Sequence, residues 1–154
     1  MANKEYLSKE KYNELEKELQ ELITIKRKDV AERLEYARSL GDLSENAEYH
    51  SARDEQGEVE SRIEELSNLL KHAEIIHHKK SDTVQVGSIV TLQKEKDADH
   101  VKYQIVGSEE TDLSAGKISY NSPLGSSMLG KKKKEKFSFE TPKGITKYTI
   151  VDIQ

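Results

Sequence analysis

Ser39-Leu40-Gly41-Asp42-Leu43-Ser44-Glu45-Asn46 separates two long helical runs and decides how the chain folds. Each flanking run is about thirty residues, has helical hydrophobic spacing and contains no proline. In the second run Tyr49, Ala52, Gln56, Val59, Ile63, Leu66, Leu70 and Ala73 step by three and four without interruption, the apolar stripe of a coiled-coil helix. Gly57 weakens that helix without breaking its pattern. In the first run Ser8 is the expected N-cap and Glu10 sits in the first turn. Its seam runs through Tyr12, Leu15, Leu19 and Leu22, then drifts to Ile23, Val30, Leu34 and Ala37. A break in heptad phase is therefore expected near Lys26-Arg27-Lys28. Gly41 suits the left-handed residue that ends a helix. A turn of two to four residues would then force an antiparallel hairpin about 45 Å long, at about 1.5 Å per residue. Asp42 and Glu45 fall at its tip, remote from any core that needs them.

The composition changes near His77-His78-Lys79-Lys80-Ser81-Asp82, where the helical period stops. Short β-type runs follow at Val86–Leu92, Val101–Val106, Lys117–Tyr120, Lys136–Glu140 and Thr146–Ile153. Ser122-Pro123 reads as an N-cap followed by proline at the first helical position, with Gly130 as the stop. The expected fold class is α+β. A long antiparallel α-helical coiled-coil hairpin spans 1–79 with its acidic tip at 41–45, and 80–154 forms a mainly antiparallel sheet domain with one short helix.

Hydrophobic residues make up 34% of the 154 and charged residues 35%, which suits a solvated rod plus one small core. There is no cysteine, so disulfide frameworks and thiolate metal sites are excluded. Residues 1–80 hold 14 Lys and Arg against 19 Asp and Glu, and residues 81–154 hold 11 against 10. Neither half has the strongly basic footprint of an independent nucleic-acid binder, so nucleic-acid contact should be local and helped by a partner protein. No apolar run approaches a membrane span. The start Met1-Ala2-Asn3-Lys4-Glu5 has no secretory apolar stretch. A cytoplasmic monomer without membrane contact is expected.

Two roles are open for the tip carboxylates on spacing alone. Asp42 followed three residues later by Glu45 is close to a capping box for the second helix, and acidic groups there complement the helix dipole. The alternative is chemistry delivered into another molecule's cavity. For Arg38 and Arg53 the structural alternative is a solvated or ion-paired helix surface, and Lys26-Arg27-Lys28 reads as a solvated face. His72, His77 and His78 lack metal-ligand spacing, and Lys131-Lys132-Lys133-Lys134 reads as a solvated loop. Tyr49 fits the hairpin seam.

Residues 41–57 read Gly-Asp-Leu-Ser-Glu-Asn-Ala-Glu-Tyr-His-Ser-Ala-Arg-Asp-Glu-Gln-Gly. This resembles the tip signature of the Gre family of bacterial transcript-cleavage factors. Ala37-Arg38 before it, Ile118-Ser119-Tyr120-Asn121-Ser122-Pro123, Leu129-Gly130 and Pro142-Lys143-Gly144 extend the resemblance over nearly the whole chain. The resemblance implies a transcription elongation factor whose hairpin enters the secondary channel of bacterial RNA polymerase and whose FKBP-like C-terminal domain binds the channel rim through Ser122 and Pro123. It implies that Asp42 and Glu45 share a magnesium ion with the polymerase active site and stimulate cleavage of backtracked RNA. It places Arg38 and Arg53 against the 3′ end of the nascent RNA. On this reading the chain is not itself an enzyme and carries no cofactor when free. A channel-binding regulator without cleavage stimulation is the competing function. A peptidyl-prolyl isomerase is a third, weakened by the scarcity of aromatics for a proline pocket.

Overall fold

The computed structural model describes residues 4–77 and 79–154. The reading of the first three residues and of His78 lies outside them. The described chain divides by its contacts into two units. One is Tyr12–His72; the other joins the residues up to Lys11 to Ala73–Gln154.

The first unit is the helical hairpin. Its first arm is α1 (Lys9–Glu21), a π-helical turn (Leu22–Lys26) and α2 (Arg27–Ser39); its second arm is α3 (Ala47–His72). Leu15, Val30, Leu34 and Ala37 of the first arm are buried, as are Ala52, Val59, Ile63 and Leu66 of the second. Leu19 and Leu22 pack on the cluster of Val30, Val59 and Ile63.

The π turn accounts for the expected break in phase. Leu22 and Val30 are eight residues apart, one more than a heptad. A π turn contains an extra residue, so it absorbs the surplus and keeps both side chains on the seam. Leu22 therefore packs inward, while Ile23, read as a seam residue, stays exposed. Within this turn the Thr24 hydroxyl donates to the Gln20 carbonyl at 2.7 Å, a local bond that favours helix distortion.

The arms are also joined by ion pairs. Arg27 grips Glu60 with two hydrogen bonds of 2.8 and 2.9 Å, and Arg62 grips Glu18 at 2.8 and 3.2 Å. Glu55 pairs with Lys26 at 2.5 Å and with Arg33. Lys26 and Arg27 are therefore cross-arm partners and not simply solvated.

The second unit contains a five-stranded sheet in the order β5-β4-β3-β7-β6. Its strands are β3 (Ile89–Lys94), β4 (His100–Val106), β5 (Lys117–Ser119), β6 (Lys136–Thr141) and β7 (Gly144–Ile153). All neighbours are antiparallel except β4 and β5. The mainly antiparallel sheet and its approximate strand positions agree with the sequence expectation. The first run starts later than read, at Ile89, because Gly87 is left-handed and turns the chain at Val86-Gly87. Val84, Val90, Leu92, Ile105, Ile118, Met128, Phe137, Ile150 and Ile153 form the core. The short helix α4 is Pro123–Met128, and Gly130 is left-handed just beyond it, as the sequence implied.

This unit also contains a two-stranded parallel ribbon, β1 (Glu5–Leu7) with β2 (Ala73–Ile75). The sequence reading continued the second helix through Ala73 and placed both segments within 1–79. Several contacts bind β1 to the sheet unit instead. Tyr6 meets Tyr120 edge-on at 5.0 Å, and the Tyr120 hydroxyl donates to the Lys4 carbonyl at 3.0 Å. Gly107 lies so close to the Tyr6 carbonyl that any Cβ there would collide with it. Ser8 caps α1 by accepting from the Lys11 amide at 3.1 Å, as expected. Its own amide and hydroxyl donate to Glu110 at 2.9 and 2.6 Å. Glu110 thereby fills the reciprocal place that a capping box gives to a residue of the same helix.

Candidate functional site

The tip loop occupies residues 40–46, longer than the expected two to four. The helix stops because Gly41 turns left-handed, at φ 76°, and its amide donates to the Arg38 carbonyl at 3.1 Å. Asp42 is left-handed too, at φ 53°. Asp and Asn are the non-glycine residues that best tolerate this conformation. A second turn then forms as the Glu45 amide donates to the Asp42 carbonyl at 3.2 Å.

The residue that starts α3 is Asn46, not Asp42. Its Oδ1 accepts from the Tyr49 amide at 3.0 Å, the N-cap bond. Its Nδ2 donates to the Ala37 carbonyl at 2.6 Å and, more weakly, to the Gly41 carbonyl at 3.3 Å. One side chain thus caps the start of α3 and the end of α2. The capping reading of Asp42 and Glu45 fails for this reason. Both side chains are exposed, and neither makes a hydrogen bond or ion pair among the described residues. The sequence signal for Asn46 was present, since asparagine is among the best N-caps, but the nearby Asp-x-x-Glu spacing masked it.

Asp42 and Glu45 carry charge that the fold does not consume. Two carboxylates are too few for a closed metal cage, and no group of three or more His, Cys, Asp or Glu able to hold a metal occurs among the described residues. As a donor set they fit a hard cation whose other ligands come from elsewhere.

Arg38 lies in the last turn of α2 and Arg53 in α3, both exposed. Arg53 has one weak local contact, with its Nη1 3.5 Å from the Tyr49 hydroxyl. Arg38 has no side-chain partner among the described residues. Both arginines therefore keep their hydrogen-bonding capacity, in contrast to Arg27, Arg33 and Arg62 further along the hairpin. His50 places Nε2 3.2 Å from the Ser44 carbonyl, a local tie to the loop.

In the other unit, Ser122 is committed to structure. Its hydroxyl donates to the Ser119 carbonyl at 2.6 Å and accepts from the Gly125 amide at 3.0 Å, capping α4. Pro123 is the exposed member of the pair. It lines a shallow surface with Ser126, Ser127, Phe139, Glu140, Thr141 and Pro142. Lys131 pairs with Glu135 and Lys133 with Asp152, so part of the lysine run is engaged within the fold. No helix among the described residues is long and apolar enough to cross a membrane.

Residues 5–75 match the family model for the N-terminal part of transcription elongation factors, and residues 79–154 match the C-terminal model of GreA/GreB transcription elongation factors. The chain is 46% identical over 155 residues to the transcription elongation factor GreA of Clostridioides difficile (strain 630), an alignment that covers 99% of this chain and 98% of that protein. It is 44% identical to GreA of Roseiflexus sp. (strain RS-1), with 97% and 96% covered. Among solved structures, GreA factor homolog 1 of Thermus thermophilus aligns with 25% identity and a TM-score of 0.46 over 99% of each chain.

Proposed function

Because the chain belongs to the GreA/GreB family of transcription elongation factors, we propose that it binds bacterial RNA polymerase, inserts its hairpin into the secondary channel and stimulates cleavage of backtracked nascent RNA. One observation carries the catalytic part of this reading. Asp42 and Glu45 are exposed on a tip loop whose capping is done by Asn46, and their carboxylates have no hydrogen-bond or ion-pair partner among the described residues.

Asp42 and Glu45 would hold a magnesium ion shared with the polymerase active site; beside an ion already there it would complete a two-metal site, in which one ion would activate the attacking water and the other would stabilise the leaving oxygen of the broken phosphodiester. A carboxylate at the tip also suits the orientation or deprotonation of that water. Arg38 and Arg53 are assigned to the phosphates near the RNA 3′ end, for which guanidinium groups have matching donors. Pro123 and its neighbouring surface are assigned to the channel rim, with Ser122 setting the local backbone. The factor works as a cytoplasmic monomer and has no hydrolytic activity alone.

The test is transcript cleavage by a stalled, backtracked elongation complex with the full-length factor. Asp42→Asn and Glu45→Gln keep shape and remove charge, and asparagine suits the left-handed backbone at 42. Each is expected to lower the saturated cleavage rate by about 100-fold or more, while the factor concentration for half-saturation stays within about twofold. Raising magnesium should restore part of the rate. Pro123→Glu should instead raise the half-saturating concentration. Full cleavage by both tip variants would sink the catalytic assignment and leave a channel-binding regulator.

A further inference from the structure

We propose that Asn46 is a positioning residue for Asp42 and Glu45, setting their geometry by clasping the end of the opposite helix. The inference rests on the cleavage reading above.

The tip loop has little apolar packing to hold it. Leu40 is 58% exposed and Leu43 42% exposed. Its order must come from polar ties. The Asn46 amide is the one described side chain that links the two arms across this loop through backbone carbonyls. Gly41, which accepts one of its bonds, directly precedes Asp42. Asn46 itself directly follows Glu45. The segment that carries both carboxylates is therefore held at each end by one amide group. Within that span the only backbone–backbone hydrogen bond among the described residues is the Glu45 amide to the Asp42 carbonyl, and His50 adds a contact of 3.2 Å from Nε2 to the Ser44 carbonyl.

The chemistry of the side chain is specific. Capping α3 needs only an acceptor, which aspartate or serine supplies about as well as asparagine. Holding the Ala37 and Gly41 carbonyls needs a donor in the same side chain. Aspartate has none when ionised and would turn a negative oxygen toward those carbonyls. Serine has a hydroxyl donor but is too short to span both tasks. The cap and the clasp can therefore be separated by substitution. Catalytic groups held loosely lose rate without losing affinity, because a misplacement of about 1 Å can cost on the order of 100-fold.

The experiment uses full-length Asn46→Asp and Asn46→Ser. Cleavage in the stalled complex is read as saturated rate and half-saturating concentration. Helix content comes from circular dichroism, and amide exchange is read at Gly41 and Glu45 in the free factor. Both variants should retain helix content and half-saturating concentration within about twofold, lower the saturated rate about tenfold or more, and speed exchange at the two amides about tenfold. A saturated rate within twofold of wild type in both variants would reduce Asn46 to a helix cap. So would unchanged exchange at Gly41 and Glu45. If wild type itself fails to stimulate cleavage, the cleavage reading falls, and the exchange data alone then decide whether the clasp orders the loop.

Discussion

At the scale of single residues, two glycines of the hairpin should respond oppositely to the same substitution. Gly41 has φ 76°, where any L side chain is strained although no atom would obstruct its Cβ. Gly41→Ala should cost about 1–2 kcal/mol and disturb the tip. Gly57 lies inside α3 with open space at its Cβ. Gly57→Ala should stabilise the hairpin by about 0.5–1 kcal/mol. Thermal melts followed at the helical circular dichroism band would show the two shifts. A fall in Tm for Gly57→Ala would contradict the account of α3. Asp42 shares the left-handed conformation, so Asp42→Ala combines lost charge with backbone strain. Asp42→Asn is for that reason the cleaner probe of the carboxylate.

At the scale of elements, the hairpin was legible because its hydrophobic steps persist over many turns. What lies between the arms was less so. The spacing of Asp42 and Glu45 imitates a cap, and only the three hydrogen bonds of Asn46 reveal which residue performs it. The ribbon of β1 and β2 left no periodic signal, since three residues are too few to display alternation. The phase break was visible, but its resolution as a π turn was not, because the identity of the packed residue depends on the opposing arm. The cross-arm ion pairs were hidden for the same reason. Of these, Glu55 offers a pH test. Its hydrogen bond to Lys26, with Arg33 adding to it, holds its carboxyl below the usual range. A depressed folded-state pKa stabilises the fold above the unfolded pKa, and that stability is lost as pH falls through the folded value. Glu55→Gln should therefore lower the hairpin Tm at neutral pH. The gap from wild type should close as pH is lowered through the carboxylate range. A gap independent of pH would show that the ion pairs are not its source.

At the scale of the whole molecule, the N-terminal segment belongs with residues far along the chain. Leu7 is fully buried, Tyr6 meets Tyr120, and Ser8 is bound by Glu110. Removal of the residues through Leu7 should destabilise the sheet unit while Tyr12–His72 keeps its helicity. Burial of Leu7 alone stabilises by about 1.5–3 kcal/mol. Amide spectra would separate the two units, and unchanged thermal stability of the β3–β7 sheet would refute this dependence. A consequence follows for the moment of synthesis. The hairpin closes through neighbours in sequence and can form while the chain is still emerging from the ribosome. Glu5–Leu7 is made before the hairpin but must wait for β2, and then for Gly107 and Tyr120. At about 5–20 residues per second, that interval is on the order of ten seconds. During it, Glu5–Leu7 is an unmatched strand with Leu7 uncovered, open to chaperones or to the same segment of a neighbouring chain.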